Sequence, residues 1–225
     1  MAEPSTFSPR HVLVVGAGPG IGASFARLAL QGDSHVTLAA RSPSKLEQLV
    51  SELHVDGVRI DVVPADAAGP VSLRETLDDY AKACEVPIDC ALFNVSTWVP
   101  GGLDSDLAAV AEGLSAGVVS GLAMAQAVVP RMRELPAARI LFTGGGTADS
   151  PMTSGVGLGL QKAALRNLAI ALDKDLADTN IRVRTLTIRG SIAPGTAFDP
   201  DLIAQALWDT IDEINVETEF TGAGK

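Results

Sequence analysis

His11-Val-Leu-Val-Val-Gly16-Ala-Gly-Pro-Gly20-Ile-Gly22 carries an apolar, β-branched run into a glycine turn spaced G-x-x-x-G-x-G. The residues that follow, Ala23-Ser-Phe-Ala-Arg-Leu-Ala-Leu30, have helical periodicity. A strand, a glycine turn and a helix in that order separate a nucleotide-binding turn from a chance cluster of glycines. Glycine reaches positive φ without penalty and lets the backbone come close to a phosphate. The helix that opens there aims free N–H groups and the positive end of its dipole at the same point. Gly16, Gly20, Ile21 and Gly22 are therefore expected to hold part of a dinucleotide. The alternative is a tight strand–helix turn with no ligand.

Outward from this turn, strand-like and helix-like segments alternate along the whole chain. Strands are predicted at 11–16, 35–40, 58–64, 88–94, 138–143 and 181–188, with a short seventh at Val216 to Phe220. Helices are predicted at 20–31, 43–53, 70–84, 104–132, 155–179 and 199–214. This order implies βαβ units and a parallel sheet, and the continuous Val/Ile/Leu strands suit a sheet covered on both faces. The expected fold class is α/β, a Rossmann-like doubly wound parallel sheet. With 225 residues, no repeat and no composition break, residues 1–225 read as a single domain with a short N-terminal tail, 1–10. Three irregular stretches, Trp98–Ser105, Gly144–Gly157 and Gly190–Pro200, follow strand C-termini, where an open α/β sheet places its ligand crevice.

Bulk properties narrow the partners. Acidic residues outnumber basic ones, 27 to 17, for a net charge of −10, and no basic face is visible, so nucleic acid is not an expected partner. The opening MAEPSTFSPR lacks the apolar core of a signal peptide. Gly113 to Pro130 is an uncharged run, but its Ala, Gly, Val and Ser content fits a helix buried on two sides better than a membrane span. Cys84 and Cys90 are too few for a disulfide framework, read as buried small hydrophobes, and suggest a reducing cytoplasm. His11, His35 and His54 have no ligand-like spacing, and no metal site is expected.

The second strand decides which dinucleotide. A carboxylate at its end would take the ribose hydroxyls of NAD. Here the strand reads Val36-Thr-Leu-Ala-Ala40-Arg41-Ser42, with an arginine in place of the acid. A guanidinium can pair in bidentate fashion with a 2′-phosphate, so NADP(H) is the expected cofactor, unless Arg41 is merely solvated. Asp66, after the third strand, can accept from an adenine amino group or cap the next helix before Val71.

These features together resemble the short-chain dehydrogenase/reductase family from about Val12 to Gly195. Val15-Gly16-Ala-Gly-Pro-Gly20-Ile-Gly22 is similar to its T-G-x-x-x-G-I-G turn, with Val for Thr. Leu92-Phe93-Asn94-Val95 stands at its N-N-A-G segment, where only Asn94 matches. Gln126 to Met132 resembles the end of its fourth helix, Gln161-Lys162-Ala-Ala-Leu165 its S-K-A-A-L, and Ile181 to Ile188 its sixth strand. Arg189-Gly190 stands at its P-G. The resemblance adds Asn94, Lys162, Gly190 and Ile192 to the expected cofactor-binding set.

The family's chemistry implies four side chains: a tyrosine for the proton, a lysine four residues on, a polarising serine and an asparagine in a proton relay. Aligned on Lys162, the tyrosine position holds Leu158 and the serine position Gly145; aligned on Gln126–Met132, the asparagine position holds Gly117. Lys162 alone remains, so the catalytic residues stay unassigned. Tyr80, the chain's single tyrosine, belongs to the helix before the fourth strand and is expected at the opposite end of the sheet. Thr143, Thr147, Asp149, Ser150, Thr153 and Ser154 can reach the cleft by loop position, and Asp149 would need a raised pKa to act near neutrality. Gly117, Gly145, Gly146, Gly155, Gly157 and Gly159, with Leu158, Met152, Val156 and Trp98, predict a roomier, more apolar pocket, unless those glycines serve loop turns and helix packing.

Three functions remain open at this point. One is an NADP(H)-dependent oxidoreductase with an atypical site, reducing an imine or an activated alkene; its small-molecule substrate is not legible. Another is a non-redox cyclase or isomerase on the same fold. The third is a catalytically silent NADP(H)-binding or regulatory protein. The loop Ser191 to Phe198 carries no charged anchor, and Asp199 and Asp201 read as helix caps. The resemblance also implies a homodimer or homotetramer through helices 104–132 and 155–179. Ala108, Ala109, Gly113, Ala116, Gly117, Ala163, Ala164, Leu168 and Leu172 supply small or apolar surface there.

Overall fold

A computed structural model of the chain describes residues 7–222. Seven strands form one parallel sheet in the order β3-β2-β1-β4-β5-β6-β7. They are β1 (His11–Val15), β2 (His35–Ala40), β3 (Ile60–Pro64), β4 (Cys90–Phe93), β5 (Ala138–Gly145), β6 (Ile181–Ile188) and β7 (Glu217–Phe220). The helices are α1 (Ile21–Gln31), α2 (Pro43–Leu53), α3 (Pro70–Ala83), α4 (Leu107–Leu114), α5 (Ser120–Met132), α6 (Val156–Asp175) and α7 (Pro200–Asp209). This is the doubly wound fold the sequence implies. Val216 to Phe220 contributes its strand, with Thr185 in register with Glu217.

Both sheet faces are covered, which is why the central strands are apolar without alternation. Every residue of β1 and β4 is buried. Phe93, Phe142 and Met124 belong to the core under α3, α5 and α6, whereas Phe25, Leu38 and Leu92 belong to the core under α1, α2 and α7. Burying each such side chain contributes about 2 kcal/mol to folding.

Several helix ends differ from the sequence expectation for identifiable reasons. The helix predicted from 104 begins at Leu107, because the Asp106 carboxylate accepts from the amides of Ala108 and Ala109 at 2.8 and 3.0 Å. It continues from α4 through one wide π turn, Ser115–Val119, into α5. The helix predicted over 199–214 closes after Asp209 into a 3-10 turn, Thr210–Asp212. Asp199 caps it as expected, accepting from the Asp201 amide at 2.8 Å, while Asp201 pairs instead with Arg27. The run from Leu107 to Met132 is one helix long and apolar enough to cross a membrane, and here α5 packs on α3 and the sheet. Cys90 is buried as predicted, but Cys84 is only half-buried.

Strand order reverses between β1 and its two neighbours, β2 and β4. Crossovers leave in opposite directions there, so the carboxyl ends of β1 and β4 part and open a crevice.

Candidate functional site

The crevice is built around Gly16. Its φ is +87°, and a Cβ there would lie 2.4 Å from the Asn94 carbonyl oxygen. Only glycine meets both demands. The Gly16 amide donates to Ala39 O (2.9 Å), the Asn94 amide donates to Val15 O (2.8 Å), and the Asn94 Nδ2 reaches Gly16 O (3.3 Å). The turn is thereby laced to both flanking strands. A Cβ at Gly22 would lie 2.9 Å from Gly16 O, so that glycine lets α1 cross closely. At Gly18 and Gly20 a Cβ would meet nothing within 4 Å, and no side chain caps α1. The outer face of the turn is open.

Two cavities meet at Asn94 and Ser96. The larger, about 450 Å³, is bounded by Gly16, Arg41, Asp66, Thr97, Trp98 and Ala116, among others. The smaller, about 170 Å³, is bounded by Ile21, Thr143, Gly145, Thr147, Leu158, Lys162, Gly190 and Ile192, among others. Eight of the ten residues expected to bind cofactor, all but Gly20 and Gly22, line one or the other. Arg41 is exposed at the rim and makes no ion pair with the described residues. Asp66 accepts from the Ala68 amide at 2.9 Å, and the N-cap of α3 is Gly69, so Asp66 shapes a local turn rather than capping the helix.

Lys162 is the one side chain lining the smaller cavity that titrates. It projects from α6, is 8 % exposed, and its Nζ donates to Thr143 O at 2.8 Å. Burial lowers its pKa to about 8, since the low dielectric disfavours the ammonium. Leu158 lies one turn earlier on α6, the i, i+4 relation that places both on one face. A Cβ at Gly145 would meet the Lys162 stem at 3.2 Å. The Thr147 hydroxyl is buried with no hydrogen-bond partner.

Two expectations are corrected here. Asp149 cannot be a neutral acid: both its oxygens accept from Arg189 at 2.9 Å, and that guanidinium holds its pKa at about 2. The roomier pocket is found only in part: Gly145, Gly146 and Leu158 line the smaller cavity, but the other glycines named for it line neither. Gly117 faces the Gln161 side chain, Gly155 the Trp98 ring and Gly157 the Val99 side chain, so these glycines serve close packing. Trp98 lines the larger cavity, while Met152 and Val156 line neither. Tyr80 lies at the far end of the sheet, as expected, donating to Asp61 at 2.8 Å.

Sequence reasoning missed two residues. Gln161, 1 % exposed, reaches across to the loop after β4; its signal was a large amide where the S-K-A-A-L pattern has a serine, beside Gly113 and Gly117. Arg189, at the proline of the family's P-G, joins Asp149 to Glu219 of β7, a tie between distant segments that nothing local announces.

A protein-family model described as short chain dehydrogenase matches residues 10–197. An uncharacterized oxidoreductase of Staphylococcus aureus strain USA300 is 26% identical over 231 residues, covering 96% of this chain and 88% of that protein. The 2,3-dihydro-2,3-dihydroxybenzoate dehydrogenase of Bacillus subtilis strain 168 is 29% identical over 174 residues, 75% of this chain and 65% of that one. Among solved structures, the NADPH-bound short chain oxidoreductase of Pseudomonas aeruginosa PAO1, described as containing an atypical catalytic center, superposes with a TM-score of 0.84 at 19% identity, covering 96% of both chains. The match over residues 10–197, on a seven-stranded parallel sheet with its crevice at Gly16 and Asn94, makes this chain a member of the short chain dehydrogenase family.

Proposed function

We propose that the protein is an NADP(H)-dependent oxidoreductase of the short chain dehydrogenase type. In this reading it keeps the family's cofactor half and has lost most of its proton-transfer half. The observation that carries the reading is the lining of the smaller cavity, where Lys162 is the single titrating side chain and Leu158 stands beside it.

The residues present fit the cofactor. The open cradle at Gly18 and Gly20, under an uncapped α1, suits a pyrophosphate. Arg41, exposed and without an ion pair among the described residues, would take the 2′-phosphate, and Asp66 the adenine amino group. Asn94, Lys162, Gly190 and Ile192 would border the nicotinamide end, where the unpartnered Thr147 hydroxyl has a hydrogen bond to give. The structure of the Pseudomonas protein is an NADPH-bound one, which supports the same cofactor here. Bound there, the cofactor supplies a hydride.

This chain's own residues then limit the acceptor. Leu158 neither ionises nor donates, and Gly145 has no hydroxyl to polarise a carbonyl. An acceptor that is already cationic, such as an iminium, needs no protein acid, and solvent can protonate the product of an activated alkene. Positioning then supplies most of the catalysis. The same Leu158 favours a second reading, a silent NADP(H)-binding regulator. Exposed Leu107, Val119, Leu122, Val156 and Leu160 on α4, the π turn, α5 and α6 support a homo-oligomer; Gly113 and Gly117 face α6 of the same chain and so take no part.

The test is a fluorescence titration with NADPH and NADH in parallel, on the wild type and on Arg41→Ala. NADPH is expected to bind at least about tenfold tighter, and Arg41→Ala to erase the difference. Binding of neither nucleotide overturns the proposal. Turnover of an imine or enone panel then separates the enzyme from the silent binder.

A further inference from the structure

Gln161 makes three hydrogen bonds through one carboxamide. Its Oε1 accepts from the Thr97 amide at 3.0 Å, and its Nε2 donates to Thr97 O at 2.9 Å and to Gly157 O at 3.2 Å. Engaging both the N–H and the C=O of one residue pins that residue's backbone as a strand neighbour would. Thr97 belongs to the loop that leaves β4 between the two cavities: Asn94 and Ser96 line both, Thr97 and Trp98 the larger. The far end of this loop is tied separately, where the Gly101 amide donates to Ser154 O at 3.0 Å and Gly101 O accepts from Val156 at 3.2 Å. Gln161 is the side-chain anchor at the near end.

The slot that admits this carboxamide is made by absent side chains. A Cβ at Gly117 would lie 2.5 Å from Oε1, and one at Gly113 would lie 2.7 Å from Nε2. Gly117 sits in the π turn, Ser115–Val119, where the helix is widened. A Cβ at either position has to push the carboxamide, the end of a flexible side chain, out of its present place. A buried carboxamide that lost these partners would be left unpaired inside the protein, whereas Thr97, at the surface, could turn to water.

We infer that Gln161 is the positioning residue of the cofactor site, holding Ser96–Trp98 in the shape that bounds both cavities, in a slot that Gly113 and Gly117 keep open for it. The inference rests on the NADP(H) reading for its ligand, but not for its geometry. Gln161→Glu keeps the size and the acceptor for the Thr97 amide while turning a second oxygen toward two carbonyls. Gln161→Ser removes the reach altogether. Gly117→Ala leaves Gln161 in the chain and pushes on it from the opposite helix.

Amide exchange of the ligand-free protein, read at Thr97 and at core amides of β4 and β5, tests the clamp directly. Gln161→Ser and Gly117→Ala should each speed exchange at Thr97 by about tenfold or more while leaving the core amides within about twofold. NADPH titration of the same variants, with Gln161→Glu added, should show affinity lowered about tenfold in each. Unchanged Thr97 exchange in both variants overturns the inference. So does faster exchange there with NADPH affinity equal to wild type, since the clamp would then be structural only. A wild type that binds no NADPH sinks the proposed function instead, and the clamp is then decided by Thr97 exchange alone.

Discussion

At their N-terminal ends, β1, β2 and β3 hold, with Tyr80 of α3, a partly buried chain of polar side chains; at their C-terminal ends the same strands run out into Gly16, Ala40 and Ala65. In the first region His11 Nε2 meets Thr37 Oγ1 at 2.8 Å, Thr37 meets the Tyr80 hydroxyl at 2.7 Å, and Tyr80 donates to Asp61 at 2.8 Å. His35 closes the set on Asp61 and stacks on His11 with 3.8 Å between ring centroids. The residue types are those of an acid–base site, and burial raises the Tyr80 pKa further above neutrality. Yet the members spend their hydrogen bonds on one another, on the Val86 carbonyl and on Arg59, and none of them lines either cavity. The second region has few such residues, but among the described residues it leaves without partners the Thr147 hydroxyl, the uncapped turn of α1 and the Arg41 guanidinium. Polar groups without partners mark a ligand site better than catalytic-looking residues with them.

The difference is broken most severely at Gly16. Gly16→Ala has to place a Cβ at positive φ and within 2.4 Å of the Asn94 carbonyl. The strained conformation and the overpacking together should cost about 3–5 kcal/mol. Urea denaturation of the ligand-free protein measures this. A loss below about 1 kcal/mol would mean that the crevice can move, and that its open shape is not imposed by the turn.

The closed end answers to pH. Burial is the main cause that lowers the His11 pKa from 6.5 to about 4. As pH falls below 6.5 the unfolded chain takes up the proton first, so stability drops between about pH 6.5 and 4 and levels off below. The drop from this group should be about 3 kcal/mol. His11→Leu, compared with wild type across that range, should flatten the slope, whatever it does to stability at pH 7. An unchanged slope would show that His11 accepts a proton in the folded state and that the closed end is less sealed than its hydrogen bonds imply.

The two regions also differ in how far they could be read from sequence. The strand–turn–helix at His11–Gly22, the alternation of elements and the positions of Arg41, Asp66, Asn94 and Lys162 were legible, because each depends on local pattern or on offset from a strand end. What the glycines at the π turn and at the start of α6 do was not. Gly117, Gly155 and Gly157 suggested empty space around a ligand, but space is a property of three dimensions, and Gln161, Trp98 and Val99 fill it from elsewhere in the chain. The tie of Asp149 to Arg189, which removes the one carboxylate with a claim on acid–base work, spans forty positions and left no local trace. Side-chain chemistry was readable where the backbone dictates it, and unreadable where packing does.

Lys162 sharpens the comparison from the open side. Its pKa, lowered by burial to about 8 from 10.5, means that the folded protein carries the ammonium at a cost at pH 7. That cost is present in full below about pH 8 and disappears as pH rises through 10.5. Lys162→Met should therefore raise ligand-free stability at neutral pH by about 2 kcal/mol, once the lost hydrogen bond to Thr143 is set against the relieved charge, and the gain should turn into a loss of about 1 kcal/mol near pH 11. NADPH affinity should fall in the same variant. Stability gained where binding is lost is the signature of a residue kept for its ligand. A variant destabilised at both pH values would place Lys162 with the closed end, as part of the scaffold.

The smallest effect on stability, and the most direct question about the open end, comes from Leu158→Tyr combined with Gly145→Ser. The serine Cβ meets only the flexible Lys162 stem at 3.2 Å, and Leu158 is partly exposed to the cavity, so the pair should cost no more than about 1 kcal/mol. It would set a phenol one helical turn before an amine whose pKa is already low, and a hydroxyl facing both. If the cavity is a dehydrogenase site short of its proton donor, NADPH-dependent ketone reduction should become measurable where the wild type has none, lost again when Lys162→Met is added. If the variant folds and binds NADPH but reduces nothing, the missing side chains are not what separates this chain from its relatives. The silent binder would then be the better account of the protein.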